Sequence, residues 1–330
     1  MKKILFALCA VAALVSCNNN EIVNLDQEAI SFGSAFVNNS TKAEDTFTID
    51  LARLQNEGFK VWATTQRPAS SEVVSLLAEE PVTYSGGAWG YAEANTQYWI
   101  PGNTYNFTAL VNADVDATTD VADGHPVQFV YDVTTQKDLL YATHTCTGQA
   151  TGRNTSVEFT FEHLLSKAYF TADLTDMSQN NTNYTYVIED VVINDVFKVA
   201  TYDIAGDVWT KSSSYNCELG DVDGADFLAA GATYTSDYAR LVVPSTYTNA
   251  AGTPFGITCT ISTLYDEQLI NVQNYSTSTG FSHTFEKGHV YNFVLKLGNP
   301  GDEIDFTVLD VTDWDPDHDG NGSNDDDVEL

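Results

Sequence analysis

The chain has 330 residues, of which 43% are hydrophobic and 12% aromatic, so it can fill the cores of two ordinary domains and is not intrinsically disordered over most of its length. It carries 46 Asp and Glu residues against 14 Lys and Arg residues, a formal net charge of -32. Because such a charge repels phosphate backbones, the composition argues against nucleic acid as a partner.

The N-terminus has the pattern of an export signal. Three residues with two lysines precede the apolar run 4–15, which is too short to be a permanent membrane anchor. The end of this run and the two residues after it, Leu14, Val15, Ser16 and Cys17, resemble a bacterial lipobox. This resemblance predicts cleavage between Ser16 and Cys17 and a diacylglycerol on the Cys17 thiol. Acyl chains contribute about 0.8 kcal/mol per buried CH₂, so such a cysteine stays in the membrane. The alternative is an ordinary secretory peptide that contains a cysteine.

Residues 17–42 are predicted to form a lipidated leader with a removable first strand. Its strand is expected within residues 29–37, with Ile30, Phe32 and Phe36 pointing to one side. The polar segment that follows exposes Lys42 and Ala43, in a composition that proteases prefer.

Short alternating strands separated by turn residues recur along the rest of the chain, and only residues 70–80 are predicted to be helical. Within residues 157–174 two strands follow one another, and we expect the first to close one sheet domain and the second to open another. The sequence therefore predicts an all-β protein with two tandem β-sandwich domains of Greek-key-like topology, at residues 43–165 and 166–314.

Five sequence strings, in this order, resemble the fimbrillin family, the lipoprotein-derived subunits of type V pili, over roughly residues 28–314. They are FKVWATTQ (59–66), YWIPGNTYNFTAL (98–110), QKDLLYA (136–142), FEHLLSKAYF (161–170) and FEKGHVYNFVLKL (285–297).

The resemblance implies an outer-membrane lipoprotein that becomes a fimbrial subunit at the cell surface. In this family a trypsin-like protease removes the leader at a basic residue, which Lys42 matches in position, with Ala43 as the new first residue. The family more often has arginine there, and Arg53 is the second candidate, although its surroundings are expected to belong to the folded body. The partners implied are other pilin subunits, the outer membrane before processing, and a host or glycan ligand.

The last predicted strand, within residues 303–312, carries Ile304, Phe306 and Val308 on one face and so repeats the Ile-x-Phe pattern of Ile30 and Phe32. We therefore expect it to be a donor strand that fills the groove left by the displaced first strand of a neighbouring subunit. The alternative is a hairpin with residues 289–297 of its own domain.

The acidic tail, residues 315–330, fits a calcium-loop template in part. Its candidate calcium ligands are Asp315, Asp317, Asp319, Asn321 and Asp326, with Gly320 at the turn position. Position 12 is Asp instead of Glu and no flanking helix is evident, so a solvated tail without any cofactor is the alternative.

Two further groups have a structural and a functional interpretation. The aromatic residues Trp89, Tyr91, Tyr98 and Trp99 fit either core pairs or a platform for stacking sugars. Beyond the leader, Cys146, Cys217 and Cys259 are expected to be isolated buried thiols, with a Cys217–Cys259 bridge as the alternative.

No HExxH, GxSxG or phosphate-loop motif is present, so the chain is not expected to be an enzyme. The function predicted is a structural subunit of a fimbria, assembled by strand exchange after proteolytic loss of the leader. The alternative is a surface-anchored glycan-binding or adhesive lipoprotein, including a pilus-tip adhesin.

Overall fold

Strands dominate the computed structural model, which describes residues 28–38, 48–177, 183–302 and 304–311. The first half of the chain contains β1 (Phe32–Val37), β2 (Phe59–Gln66), β3 (Val73–Ser85), β4 (Ala88–Gly90), β5 (Thr104–Val111), β6 (Val121–Ala122), β7 (His125–Pro126), β8 (Gln128–Asp132), β9 (Leu140–Thr147) and β10 (Val157–His163). The second half contains β11 (Ser166–Asp173), β12 (Tyr184–Asp203), β13 (Val208–Gly220), β14 (Thr233–Thr235), β15 (Arg240–Val242), β16 (Ser245–Ala250), β17 (Thr253–Pro254), β18 (Gly256–Tyr265), β19 (Gln268–Ser276), β20 (Ser282–Phe285), β21 (Val290–Lys296) and β22 (Asp305–Val311). The predicted all-β class is confirmed.

Helical structure in the described ranges is limited to short pieces. They are α1 (Leu51–Glu57) and the 3₁₀ turns Glu93–Asn95, Val133–Thr135 and Asp223–Ala225. A search of the described residues finds no helix with the length and apolar character needed to cross a membrane.

The predicted helix at residues 70–80 is wrong, because this segment enters β3 and pairs with β2. Its apolar residues have helical spacing, but Val73 and Val74 are exposed, and Leu77 is buried in the sheet core. The helix lies earlier, at α1, where the Asp50 carboxylate accepts a hydrogen bond from the Arg53 backbone N–H and so caps the first turn.

The described strands form three sheets and two small ladders. A seven-stranded sheet has the order β1-β10-β9-β5-β2-β3-β4. A second sheet has the order β14-β11-β21-β22, with β15 also paired to β11, and a third has the order β13-β12-β18-β19, with β8 also paired to β12. The ladders are β17-β16-β20 and β6-β7. Strand β10 thus lies in the first sheet, and β11, which follows two residues later, lies in the second.

The two halves of the chain share a core. β8, from the first half, pairs with the C-terminal end of β12. The apolar cluster around this junction combines Trp62 and Leu110 with Tyr169 and Leu241, and it also buries Leu164 and Leu165 between β10 and β11. The division between residues 165 and 166 into two separate sandwich domains therefore stays a prediction. Side chains from both sides of this boundary pack in one apolar cluster.

Candidate functional site: the groove around the first strand

β1 lies at the edge of the seven-stranded sheet and pairs with β10 in parallel, Phe32 opposite Val157 and Val37 opposite Phe161. Backbone hydrogen bonds of 2.8 Å mark both ends of the pairing, from Val157 N–H to Ser31 O and from Asn38 N–H to Phe161 O. The outer side of β1 faces β4 across a shallow groove that Ala35 and Trp89 help to line. β1 therefore lies over the opening between β10 and β4, which belong to the same sheet.

Two side chains of this segment reach the core, as predicted. Ile30 and Phe32 are buried, with 2% and 5% of their surface exposed. The Phe32 ring packs among four aromatic rings that belong to the body of the first half. They are Phe59, Tyr91, Phe107 and Phe159, with centroids 5.5 to 6.3 Å from that of Phe32.

The expected direction of Phe36 is wrong. The pairing with β10 shifts between Phe32 and Ala35, so that three steps along β1 match two steps along β10. Such a bulge moves the following residues to the other face of the strand. Ala35 is therefore buried, and Phe36 is 54% exposed.

Polar contacts fix the chain just before β1. The Glu28 carboxylate accepts hydrogen bonds from the Asn154 side chain at 2.7 Å and from the Gly152 backbone N–H at 3.0 Å. The bond from the Asn154 side chain holds the pKa of Glu28 below its usual value. Sequence reasoning missed this contact, which joins residues 126 positions apart.

The same stretch makes short antiparallel contacts with the loop before β5. Ile30 N–H donates to Gln97 O at 2.8 Å, and Trp99 N–H donates to Glu28 O at 3.0 Å. The Tyr91 hydroxyl donates to Ile30 O at 3.0 Å. The first strand is thus bound on both of its edges at this end.

A buried contact between an aspartate and a histidine anchors the chain next to Thr48, the first residue described after Asn38. The Asp138 Oδ2 atom accepts a hydrogen bond from Ile49 N–H at 2.8 Å and lies 2.8 Å from His163 Nδ1. Both side chains are almost completely buried. Spacing alone could not reveal this pair, although both residues lie in strings that resemble the fimbrillins. Residues 39–47 are the only covalent link between β1 and this anchor.

The proposed cleavage sites differ in context. Lys42 and Ala43 lie outside the described residues, as do Ser16 and Cys17. Arg53 lies within α1, where its guanidinium donates to Thr48 O at 2.7 Å and its Nε is 3.8 Å from Glu57. A protease would have to unwind α1 to cut after Arg53.

β22 pairs in this structure with its own domain, as the hairpin alternative predicts. Its partner is the antiparallel β21, with Val290 opposite Val311 and Lys296 opposite Asp305. β22 is an edge strand. Its Phe306 and Val308, and Ile304 just before it, are only half buried against the apolar cluster of the second half of the chain.

The core alternative holds for both tryptophans of the predicted aromatic platform, whereas Tyr98 is 44% exposed. Trp89 is 8% exposed and packs on Phe59 at 4.9 Å between centroids. Trp99 is 5% exposed and packs on Tyr105 at 4.7 Å. Rings whose faces are covered by other rings cannot stack on a sugar.

The remaining predicted sites concern thiols and metals. Cys146, Cys217 and Cys259 are unbridged, as predicted, but only Cys217 and Cys259 are buried, and the predicted burial of Cys146 is wrong because this residue is only partly covered. The described part of the chain contains no group of three or more His, Cys, Asp or Glu residues arranged for a metal ion. The tail residues Asp315, Asp317, Asp319, Asn321 and Asp326 lie outside that part, so the calcium site stays a prediction.

A family profile described as Fimbrillin-like matches residues 41–314, which is most of the chain. The chain belongs to the fimbrillin-like family. This membership confirms the resemblance found in the sequence and supports a pilus or adhesion role at the cell surface. The matched region begins after β1, so the strand that fills the groove lies outside it.

The chain shares its fold with a protein of known structure. A fimbrial protein from Bacteroides vulgatus is 15% identical, with a TM-score of 0.57, over 86% of this chain and 98% of that one. A candidate cell adhesion protein from Bacteroides uniformis is 17% identical, with a TM-score of 0.46, over 86% of this chain and 98% of that one. None of the curated proteins compared with the chain matches it.

Proposed function

We propose that this fimbrillin-like chain is a structural subunit of a cell-surface fimbria and polymerises by strand exchange after its leader is cut off. One observation carries the proposal. Ile30, just before β1, and Phe32, within it, lie in the core of the first half, yet their segment is joined covalently to the body only through residues 39–47. A cut there turns an intrinsic strand into a separate peptide.

Loss of β1 leaves an opening that favours replacement. Burial of a large apolar side chain is worth about 1.5–3 kcal/mol, so Ile30 and Phe32 together contribute about 3–6 kcal/mol that the emptied groove lacks. Phe59, Phe107 and Phe159 become accessible, and β10 loses the partner along one edge. An open edge beside exposed rings is a template for another strand.

β22 of a second subunit is the proposed replacement. Its Ile304, Phe306 and Val308 are spaced two residues apart, as are Ile30 and Phe32. In its own subunit these three side chains are only half buried, whereas Ile30 and Phe32 are buried almost completely. Transfer from the home edge to the groove therefore buries more apolar surface, and this difference favours exchange.

Repeated exchange produces a fibre. The acceptor groove lies in the first sheet and the donor strand in the second, so each subunit uses two different surfaces. A contact of this head-to-tail kind does not close on itself and propagates. The partners are then other pilin subunits, and no catalytic residue is needed.

The leader supplies the location before processing. A diacylglycerol on Cys17 would hold the precursor at the outer membrane, and cleavage after Lys42 would release it to the growing fibre. The context of Arg53 within α1 favours Lys42 over Arg53 as the site. The N-terminal residue of the protein on intact cells, Ala43 or acylated Cys17, tests this step.

The assembly test uses the full chain with Cys17→Ser, treated with trypsin and run on denaturing gels without boiling. We expect ladders from this protein, none from a Lys42→Ala variant, and ladders again from Arg53→Ala. A Phe306→Asp variant should not polymerise, whereas Leu309→Asp, on the exposed side of the same strand, should. Ladders from a chain that ends at Pro300 would refute donation by β22.

A further inference from the structure

β19 lies at the end of the third sheet. Within the described residues it pairs only with β18, so the outer edge of its backbone has no strand partner. Its exposed apolar side chains include Leu269, Ile270 and Val272, which are 60%, 55% and 53% exposed, and Tyr265 just before the turn is 41% exposed. These four exposed apolar residues lie on one hairpin, β18–β19.

The sequence of β19, QLINVQNYS, has no charged residue, proline or glycine. Natural sheet edges are usually protected by charges, by proline or by a covering loop. The opposite edge of the same sheet, β13, carries Lys211 and Glu218, and the edge strand β22 carries Asp305. In a chain with a net charge of -32, β19 is the longest of the described edge strands that has no charged residue.

A bulge in the pairing of β19 with β18 shortens the regular part of this edge strand. Thr263 pairs with Asn271 and Leu264 pairs with Leu269, so Ile270 has no opposite residue and forms a bulge. The regular part of the strand is residues 271–276. On the inner side Ile270 and Tyr275 line an open groove whose far wall includes Ile304, so the edge is not covered from that side.

We propose that β19 pairs in an antiparallel manner with β19 of a second copy of this chain, which joins the two sheets edge to edge. The charge distribution indicates this partner. Two copies repel each other wherever their carboxylates meet, and an uncharged strand is where they can approach. Val272 and the amides of Asn271 and Gln273 then lie against the same uncharged residues of the copy.

The direction of pairing follows from the turn that precedes the strand. Asp266 and Glu267 lie directly before Gln268. A parallel arrangement would place the four acidic side chains of two copies side by side. An antiparallel arrangement separates them by the length of the strand, about 30 Å at 3.3 Å per residue.

This inference is independent of the proposed strand exchange, because it concerns the uncleaved chain. The test is sedimentation velocity of the full chain with Cys17→Ser and an intact leader, over a range of protein and salt concentrations. We expect a reversible dimer that strengthens as NaCl screens the net charge. A wild-type chain that stays monomeric at every concentration would overturn the proposal.

Two variants with the same charge change locate the contact. Val272→Glu places like charges across the paired strands and should weaken the dimer by about tenfold or more. Thr210→Glu, exposed on the opposite edge strand β13, should leave it unchanged. Both sites are exposed, so we expect unchanged thermal unfolding of the monomers. A Val272→Glu dimer as strong as the wild type would also overturn the proposal.

Hydrogen exchange provides an independent readout. In the dimer, outward-facing backbone amides within residues 271–276 should become protected as the protein concentration rises. Protection confined to another segment would show that a different surface joins the copies, and it would contradict the proposal.

Discussion

The Phe32 ring stacks on the Phe159 ring, with centroids 5.9 Å apart and planes inclined by 22°. Phe32 lies on the strand that we propose is lost, and Phe159 lies on β10, which stays. Any strand that replaces β1 must cover this ring. Phe306 is the aromatic residue of β22 that we expect to do so.

The first prediction concerns the stability of the uncleaved chain. Phe32→Ala should lower its free energy of unfolding by about 3–5 kcal/mol, because it opens a cavity among four aromatic rings. Phe36→Ala, on the exposed side of the same strand, should change it by about 0.5 kcal/mol or less. Urea unfolding followed by circular dichroism measures both. Equal effects of the two substitutions would contradict the described position of β1.

The Phe32→Ala variant should affect the precursor and the polymer differently. Because β1 is absent from the proposed fibre, Phe32→Ala should not weaken polymers once the leader has been removed. Reduced heat resistance of Phe32→Ala ladders would show that β1 remains in the assembled subunit.

The second prediction concerns the Asp138–His163 pair. Asp138→Ala should lower the free energy of unfolding by about 3–5 kcal/mol, since it leaves Ile49 N–H and the buried His163 ring without this carboxylate. Lys60→Ala, which removes the exposed ion pair with Glu79, should cost about 1 kcal/mol or less. Chemical unfolding of the uncleaved chain compares the two, and similar losses would contradict the anchoring role.

The third prediction concerns the pKa of Asp207 and its effect on stability in acid. The pKa of Asp207 is lowered by hydrogen bonds from Lys287 and from Tyr202. A carboxylate with a lowered pKa stabilises the fold above its unfolded pKa of about 3.9, and this contribution is lost as pH falls through the lower, folded value. Lys287→Met should move the pKa of Asp207 towards its ordinary value, whereas Lys60→Met should not. Carboxyl ¹³C titration by NMR measures this, and an unmoved pKa in Lys287→Met would contradict it.

The fourth prediction concerns thiol reactivity. Burial raises the pKa of Cys217 to about 11 and that of Cys259 to about 12. Since the thiolate is the reactive form, both should resist alkylation of the native protein at neutral pH. Cys146 is only half buried and should react first. Peptide mass spectrometry after timed alkylation checks the order, and all three should react after unfolding. Faster native labelling of Cys217 than of Cys146 would contradict it.

Local patterns predicted much of the fold. In β10 the alternation of Val157, Phe159 and Phe161 with polar residues matches alternating burial. The helix was misplaced because residues 70–80 have apolar spacing that suits either period. The true helix α1 is short, but Asp50 and Gly58 frame it as caps, and Gly58 has a φ of 75° that favours glycine.

Long-range features could not be predicted. The bulge that turns Phe36 outward depends on the register with β10, which no local pattern encodes. The pairing of β8 with β12 brings together strands from the two halves, and the Asp138–His163 pair joins β10 to the loop just before β9. The sequence predicted that Ile30 and Phe32 would occupy the candidate groove, but it did not predict the hydrogen bonds that the Glu28 carboxylate accepts beside it.

The direct passage from β10 into β11 has a mechanical consequence for the proposed fibre. The incoming strand would bond to β10, which continues through Leu164 and Leu165 into β11, and β11 pairs with β21, the neighbour of the outgoing β22. Tension would cross each subunit through a few adjacent strands lying along the pull, whose hydrogen bonds would resist shear together. The shaft would then bear traction without relying on a flexible hinge.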